Sequence, residues 1–397
     1  MFHFIHYIHF ENRKYKISDN NYNHNWKTES KIPRIVVIVI ALTTLGFLVI
    51  LLIFNISRKI WIAARIRHIE AIRFEIKTSF DGFLSISESK FTNGPRMFEE
   101  ELSRKHKDYR YYIDEYIIAS LETAKPKQRK RLITISNYFD FYPECLVEIK
   151  NQNPVISARG SRRAGFYNFT NAADDMVSAL DVLSSENQFE ILMGLARMGL
   201  GKHLKLAFDK IKNSVIVNER AVIEILSAFP PGREKKKLFH SLFQHETSYL
   251  VALFLKAVDK EMTKFLIDDM TMLLNHENKE VRAAAVRGLA SLDEQAPATE
   301  LIQALKDNDW EVRALAAKVL GSIHSKESSL ALVSVLDDRQ WWVRQNVVNA
   351  LICHPGYEKL FIKALKTNDK FSRDSIISAL ENRGNTVLLK KIERLAI

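Results

Sequence analysis

Three segments of the chain repeat one phrase: NKEVRAAAVRGL at 278–289, NDWEVRALAAKVL at 308–320 and RQWWVRQNVVNAL at 339–351. Their Val-Arg pairs begin at Val281, Val312 and Val343, at equal intervals, and a weaker copy, Ser372-Arg373, follows after a slightly shorter interval. Apolar residues recur at nearly the same interval and form three columns of equivalent positions. These are Leu274, Leu305, Leu336 and Leu365; Leu289, Leu320, Leu351 and Leu380; and Leu301, Leu332 and Phe361. A fixed period of this length, in units too small to close a core alone, predicts a stacked solenoid.

The composition favours an all-α protein. The chain has 397 residues, enough for two or three compact domains or for one long array. Hydrophobic residues make up 47% of it, while 13 glycines and 9 prolines leave little material for a turn-rich β fold. Together with the repeat, this composition predicts an all-α fold, namely an α-solenoid of helical repeats.

The chain is basic, with a net charge of +11 and a pI near 9.4. Such a charge suits an anionic partner: a phospholipid surface, a nucleic acid or an acidic protein. Alternatively, the abundant lysine, isoleucine and asparagine reflect only the base composition of the genome. Cys145 and Cys353 belong to no C-x-x-C motif, which indicates neither a disulfide framework nor a cysteine zinc site and suits a reducing compartment.

Residues 1–34 form a polar N-terminal tail. His3, His6 and His9 share one helical face by their spacing, the pattern of a possible metal site. No acidic or thiol ligand accompanies them, so we expect a floppy or interfacial tail without bound metal. No other segment calls for a cofactor.

Residues 35–54 read IVVIVIALTTLGFLVILLIF, twenty residues without a charge. A helix of this length spans about 30 Å, the thickness of the hydrocarbon core of a bilayer. A cleavable signal peptide fits poorly, because the preceding region is long, the apolar run exceeds the usual length of about 7 to 15 residues, and no small-residue cleavage site follows. We therefore predict a retained single-pass transmembrane helix.

Flanking charges predict the orientation of this helix. The basic residues within twenty positions are, before it, Lys16, Lys27, Lys31 and Arg34, and after it, Arg58, Lys59, Arg65, Arg67 and Arg73. Four against five favours a C-terminal body in the cytoplasm, at the plasma (inner) membrane. An outward-facing envelope component is the alternative topology.

Residues 55–109 are predicted to hold a juxtamembrane basic helix and a connector. The helix reads SRKIWIAARIRHIEAIRFEIK at 57–77, where apolar residues recur at helical period among arginines and Trp61 suits an interfacial position. The connector, DGFLSISESKFTNGP at 81–95, carries polar and Gly-Pro signals. Degenerate helical repeats are expected over 110–273, and regular repeats over 274–397.

Each regular unit pairs two short helices across a turn. Asp309 precedes the second helix of one unit and is placed to cap it through its side-chain oxygen. Glu311 follows in the first turn, where the positive end of the helix dipole favours an acid. Val312, Ala316 and Leu320 continue the inner face, so each helix needs neighbouring units to cover the rest.

The pattern L-x-D-x-D-x-x-V-R-x-x-A-A-x-x-L resembles HEAT repeats, and the short period is similar to the bacterial subtype named for phycobilisome lyase. The resemblance implies that the arginine after the valine bonds aspartates in turns of its own or the adjacent repeat. That role falls to Arg282, Arg313, Arg344 and Arg373. Asp309 and Asp369 match the turn aspartate, whereas Asn278 and Gln340 depart from it. Tetratricopeptide and ankyrin signatures do not appear.

Two His-Glu pairs, His245-Glu246 and His276-Glu277, are separated by one repeat period. Deoxyhypusine hydroxylase, a HEAT-like enzyme, binds two irons through four such pairs at the starts of second helices. Only two pairs occur here, in predicted turns, so we expect solvent-exposed turn residues and no metal. No Walker A, G-x-G-x-x-G, H-E-x-x-H or G-x-S-x-G motif is found, which predicts a protein that is not an enzyme.

Two surfaces are candidates for binding. Aromatic residues recur at the first turn of successive second helices and predict a protein-binding edge, unless they only cover the seams between repeats. They are Trp310, Trp341, Trp342 and Phe371. A basic set predicts contact with anionic lipid headgroups, unless it is a solvated face. It comprises Lys125, Lys127, Arg129, Lys130, Arg131, Arg162 and Arg163. Nucleic acid is not expected, because no nucleic-acid-binding fold is recognised.

These observations together predict a membrane-anchored HEAT-repeat scaffold that binds a protein partner at the membrane surface. The identity of that partner is not encoded in any motif. The alternatives are a metal-dependent enzyme built on the array and an outward-facing envelope component.

Overall fold

The computed structural model describes residues 34–84, 99–100, 103, 109–181, 185–211, 218–365 and 370–395. All regular structure in these ranges is helical, as predicted. The predictions for the tail up to residue 33, for most of the connector and for Asp369 lie outside the described residues. The chain divides into two compact units, Met1–Glu75 and Ile76–Ile397.

The first unit is described through helix α1, which begins at Arg34 and ends, within the second unit, at Leu84. The apolar segment and the juxtamembrane segment form this one helix without a break. By length and composition Ile35–Gly82 is able to cross a membrane, and its most apolar window has no buried residue. An N-terminal signal sequence would meet the same criteria.

Two polar side chains inside the apolar segment are satisfied within α1 itself. The hydroxyls of Thr43 and Thr44 donate to the carbonyls of Val39 and Ile40, each at 2.9 Å. Such local bonds hide polar groups from an apolar surrounding, where an unpaired donor is expensive. The two threonines therefore do not oppose insertion of the segment into a bilayer.

The end of α1 extends into the predicted connector. Tyr116 donates its hydroxyl to Asp81 Oδ1 at 2.5 Å, and Arg131 Nη1 donates to the carbonyl of Leu84 at 2.6 Å. These bonds satisfy groups of the last helical turn, which explains why the helix continues through 81–84 where the sequence predicted a loop.

The second unit continues with twenty further α-helices in the described ranges. They are α2 (Tyr109–Thr123), α3 (Pro126–Tyr138), α4 (Tyr142–Ile149), α5 (Pro154–Tyr167), α6 (Ala173–Ala179), α7 (Ser185–Arg197), α8 (Gly201–Ile211), α9 (Glu219–Ala228), α10 (Arg233–Phe243), α11 (Ser248–Lys256), α12 (Lys260–Phe265), α13 (Ile267–Leu273), α14 (Lys279–Leu289), α15 (Ala298–Ala304), α16 (Trp310–Leu320), α17 (Lys326–Val333), α18 (Trp341–Cys353), α19 (Tyr357–Leu365), α20 (Lys370–Asn382) and α21 (Thr386–Leu395). Two 3₁₀ turns, Thr170–Ala172 and Ala290–Gln295, accompany them.

One row of helices forms the spine of this unit. Each of α5, α7, α9, α11, α14, α16, α18 and α20 packs against the next in this order. Their first residues recur at nearly equal intervals along the chain, so the pairing of helices extends well before Leu274. The boundary predicted between 273 and 274 separates a degenerate from a regular sequence, and one hydrophobic core runs across it.

The repeated apolar columns fill that core. Val281, Val312 and Val343 are fully buried, and so are Leu289, Leu320 and Leu351. Burying such a side chain contributes about 1.5 to 3 kcal/mol, which makes the columns the main source of cohesion between neighbouring units. This arrangement is the all-α solenoid that the period predicts.

Helices α5 and α7 cross at two glycines. A Cβ on Gly165 would lie 2.4 Å from Gly194 Cα, which is closer than any side chain tolerates. A Cβ on Gly194 would in turn lie 2.7 Å from the carbonyl oxygen of Ser161. Both obstacles are backbone atoms, so the helices would have to separate to admit a methyl group.

We therefore expect Gly165→Ala to destabilise the second unit by about 1 to 3 kcal/mol, because overpacking forces the two backbones apart. Urea unfolding of the full chain in mild detergent, followed by circular dichroism, measures this as a lower midpoint. The control is Gly82→Ala, whose Cβ would meet no atom within 4 Å. That variant is expected to be neutral or slightly stabilising, and equal losses in both variants would refute the close-contact argument.

Candidate functional site

A column of turn residues organises the regular repeats. In each turn one side chain accepts a hydrogen bond from the backbone N–H two residues later, which is the bonding of an Asx turn. The four bonds are Thr247 N to His245 Nδ1 (2.9 Å), Asn278 N to His276 Nδ1 (3.0 Å), Asp309 N to Asp307 Oδ1 (2.8 Å) and Gln340 N to Asp338 Oδ1 (2.8 Å). The four acceptors recur at the period of the Val-Arg pairs, and the imidazoles take the place of the carboxylates.

The arginines link each of these turns to the next repeat. Arg282 holds Asp307 with two parallel bonds, from Nε at 2.7 Å and from Nη2 at 2.8 Å. Arg313 holds Asp338 in the same way, at 2.7 and 3.1 Å. All four side chains are nearly buried, with exposures between 8% and 12%. Bidentate pairing of this kind adds geometric specificity to the charge attraction.

The same arginines also reach back to the turn of their own repeat. Nη1 of Arg282 donates to the carbonyls of His276 and Glu277, both at 2.9 Å. Nη1 of Arg313 donates to the carbonyls of Asp307 and Asn308, at 2.8 and 3.1 Å. Each guanidinium therefore joins two successive turns, and we name this series of contacts the arginine ladder.

Arg344 is the third arginine of the ladder. Within the described residues, it contacts the following repeat differently from Arg282 and Arg313. Arg344 Nη1 donates to the carbonyl of Asp338 at 2.6 Å, as its counterparts do. Its Nε donates to Ser375 Oγ at 3.3 Å, and its guanidinium lies 5.0 Å from the ring centroid of Phe371. Arg373, in the fourth copy, is half-buried in α20.

The structure corrects the capping role predicted for Asp309. This residue stands at the N-cap of α16, but its side chain makes no capping hydrogen bond. Its Oδ2 instead accepts from Arg282 Nη2 at 2.7 Å. Asn278, which departs from the aspartate pattern, does cap α14 by accepting from Glu280 N at 2.8 Å. Asp307 and Asp338 occupy the first aspartate position of the repeat pattern, but the sequence reasoning did not name them as the partners of the arginines, although their spacing equals that of the Val-Arg pairs.

The His-Glu pairs are part of the turn column. His245 is buried, contrary to the expectation of an exposed turn residue, and its Nε2 lies 2.9 Å from Asp209 Oδ1. Burial lowers the pKa of His245, with Asp209 opposing this effect. His276 is half-buried and uses Nδ1 for its turn. Among the described residues, no group of three or more His, Cys, Asp and Glu side chains is arranged to hold a metal ion.

The four predicted aromatic residues lie on the first turns of α16, α18 and α20, which are successive neighbours. We call them the aromatic edge, and their exposures are Trp310 37%, Trp341 51%, Trp342 57% and Phe371 57%. The two adjacent tryptophan rings meet edge to face, with centroids 4.6 Å apart. Phe371 carries the guanidinium of Arg344 on its face.

The basic set does not form one surface. Lys125, Lys127 and Lys130 are exposed on and before α3. Three arginines have internal partners: Arg129 donates to Leu121 O at 3.2 Å, Arg131 donates to Leu84 O, and Arg162 pairs with Glu122 at 2.8 Å. Mainly the lysines of the basic set therefore remain as an exposed positive surface.

Arg163 is not a surface residue, which corrects its assignment to the basic set. Its side chain is 7% exposed and contacts the carboxylates of Asp114 at 3.0 Å, Glu148 at 3.0 Å and Glu144 at 3.3 Å. Burial alone would lower the pKa of Arg163, but the carboxylates raise it further than burial lowers it. Burial also raises the pKa of the neighbouring Cys145 thiol to about 12, which disfavours its reactive thiolate form at neutral pH.

Comparison with known proteins agrees with this geometry. Residues 267–352 match the family of HEAT repeats. The comparison with curated protein sequences gives no match. A solved structure of an engineered protein is 17% identical and covers 72% of this chain and 97% of its own, with a TM-score of 0.33. That likeness is too weak to carry an argument.

The chain is therefore an all-α solenoid protein of the helical-repeat class. Its residues 267–352 match the HEAT-repeat family, in line with the resemblance found in the sequence. HEAT repeats indicate a protein-interaction scaffold, and families built from them are typically not enzymes.

The ladder generates a prediction about acid stability. Burial by itself raises the pKa of Asp338, but hydrogen bonds from Arg313 and from the backbone of Gln340 hold it below its ordinary value of 3.8. Because the folded pKa is lowered, the stabilisation is present above pH 3.8 and is lost as the pH falls through the folded pKa.

We expect Asp338→Asn to lower the free energy of unfolding by about 3 kcal/mol at pH 7, because Arg313 then remains buried without its carboxylate. The difference from the parent protein should narrow as the pH is taken below about 4. Urea midpoints measured from pH 7 to pH 3 report both effects. Asp337→Asn, at the exposed neighbouring position, serves as the control and should change the midpoint little at any pH.

Proposed function

We propose that this protein is a membrane-anchored HEAT-repeat scaffold that binds a protein partner through the aromatic edge. The observation that carries the proposal is the exposure of large aromatic side chains at equivalent positions of three neighbouring helices. Tryptophan is enriched at the energetic centres of protein interfaces, and clustered exposed apolar groups mark interaction sites.

The exposure of the edge supports its interpretation as a binding surface over its interpretation as a cover for the seams between repeats. A residue that only covers the seam between repeats would be buried by them. Trp310, at 37% exposure, partly fits that description, whereas Trp341, Trp342 and Phe371 expose more than half of their surface. We infer that these three side chains are available to a partner.

The arginine ladder restrains part of the aromatic edge. Arg344 is buried, tied to the carbonyl of Asp338, and stacked on Phe371. Trp341 and Trp342 support one another through their edge-to-face contact. A surface held in place before binding loses less conformational entropy when the partner arrives. The edge therefore suits a rigid docking site more than an adaptable one.

Membrane attachment would concentrate this docking site. The apolar segment 35–54 exposes its side chains along its length, and its threonines are bonded internally. A chain anchored by one such helix moves in two dimensions, which raises the effective concentration of the scaffold near other membrane components. The flanking charges favour a body on the cytoplasmic side of the plasma (inner) membrane. Lys125, Lys127 and Lys130 are available for anionic headgroups.

We expect the full chain to stay in the membrane pellet after an alkaline carbonate wash, and a variant lacking residues 35–54 to be released. Protease added to intact cells or spheroplasts should spare the body until lysis. Digestion without lysis would assign the protein to the outward-facing alternative, and release of the full chain by carbonate would refute the anchor.

Partner binding is tested by a photo-crosslinking phenylalanine analogue incorporated at position 341 in native membranes. We expect one discrete crosslinked product, which the same analogue at the exposed position of Met272 should not yield. In the protein labelled at position 371, Trp341→Ala should reduce the product about tenfold, since interface tryptophans are often worth about 2 kcal/mol or more. The unfolding midpoint should change little. Loss of stability without loss of the product would show that the tryptophans only support the fold.

A further inference from the structure

A cavity of about 400 Å³ lies outside the HEAT-repeat match, among the first helices of the second unit. Helices α2, α3, α5 and α7 and the turn after α9 contribute its walls. The residues that matter are Leu121, Glu122, Arg129, Phe166, Arg197 and Pro230. Its volume lies within the range of about 300 to 1,000 Å³ that is usual for small-molecule sites.

Arg197, at the end of α7, lines this cavity and has one hydrogen-bond donor without a partner. Its guanidinium carbon lies 4.1 Å from the ring centroid of Phe166, which is 2% exposed and therefore forms a fixed floor. Stacking uses the face of a guanidinium and leaves the donors on its edge free. Nη1 of Arg197 is shielded from solvent and has no hydrogen-bond partner. A buried donor of this kind requires an explanation, since nearly all such groups are paired.

The glycine crossing explains why Arg197 and Phe166 meet. Phe166 follows Gly165, and Arg197 lies one helical turn after Gly194, so the contact of the two glycines brings both side chains together. The pair is therefore positioned by the backbone of α5 and α7 and is not free to separate.

The cavity carries an excess of positive charge. Among the residues that the structure describes, neither Arg129 nor Arg197 forms an ion pair with a carboxylate. Glu122 is also in the wall, where its carboxylate forms an ion pair with Arg162 at 2.8 Å. Two arginines thus line one cavity without an acidic partner of their own.

The charge of Arg197 is destabilised in this setting. Burial lowers the pKa of Arg197 most, Glu190 and Glu122 oppose this, and the positive charges of Arg162 and Arg129 add to it. A bound anion would offset both the burial and the repulsion between the arginines.

We propose that this cavity binds the phosphate group of a small organic phosphate. Arg129 and Arg197 hold the phosphate oxygens, because the fork of N–H donors on arginine matches phosphate geometry. Ala228 and Pro230, the apolar wall residues that are not buried, pack against the organic part. Two sources present this group, a soluble phosphate monoester and the headgroup of an anionic lipid. The site is independent of the aromatic edge, so failure of one leaves the other untouched.

The test is a titration of the full chain in neutral detergent with phenyl phosphate, which combines a phosphate with an apolar ring. We expect saturable binding by calorimetry. Arg197→Met keeps an apolar stem over Phe166 but removes the donors, and it should weaken binding at least about tenfold. Arg220→Met is the matched control: it removes the same charge from an exposed position on α9 and should change affinity less than about twofold.

Absence of saturable binding overturns the proposal, and so does an equal loss in both variants, which would indicate unspecific charge attraction. Arg197→Lys keeps the charge without the fork and should show an intermediate loss. If Arg197→Met unfolds at a lower midpoint without ligand, Arg129→Met decides the question, with the same loss of about tenfold expected.

The source of the phosphate is distinguished in nanodiscs. The full chain is placed in phosphatidylcholine alone or with phosphatidic acid, and phenyl phosphate is titrated again. Loss of binding only with phosphatidic acid identifies a lipid headgroup as the occupant. Unchanged binding in both bilayers identifies a soluble phosphate monoester.

Discussion

A guanidinium buried between two turns must find acceptors for five N–H donors, and the regular part of this solenoid is built around that requirement. Arg282 and Arg313 satisfy it with two kinds of acceptor: carbonyls of the turn behind and a carboxylate of the turn ahead. The arginine can reach both only if successive turns stay in register. The same contacts thus fix the period of the array and the position of each second helix, while the apolar columns supply most of the cohesion.

The periodic part of the fold could be read from the sequence because its physical cause is local and repeated. Val281, Val312 and Val343 recur since each must face the same core, and their spacing reports the period directly. The helices before Leu274 obey the same packing with other residues. There Gly165 and Gly194 set the distance between helices, and no repeated motif announces such a contact. The packing of the helices therefore shows that the repeat continues before Leu274, whereas the sequence pattern marks it only weakly.

Charged residues were the least predictable from sequence, because their role depends on neighbours far along the chain. Arg162 and Arg163 are adjacent and looked equivalent, yet one faces outward and the other contacts three carboxylates contributed by α2 and α4. The local context of Asp309 predicted a cap that it does not form, whereas the resemblance to HEAT repeats predicted a turn aspartate bonded by an arginine, which is its role with Arg282 of the preceding repeat. The aromatic edge was placed at the correct turns by its spacing alone, but only burial could separate a seam residue from an exposed one.

The ladder also has a consequence for how such an array changes length. The stretch 283–313 carries one aspartate, Asp307, for the arginine of the repeat behind it and one arginine, Arg313, for the turn ahead. A tandem copy of that stretch would therefore bring its own aspartate and its own arginine. The aspartate would bond the arginine of the preceding unit, and the arginine would bond the turn of the following unit. Val251 stands where an arginine would be needed one unit earlier, and His276 takes the place of the aspartate. Gene duplication of the stretch 283–313 would thus lengthen the array with its ladder intact, whereas a copy of the preceding unit would bring no aspartate for the arginine behind it.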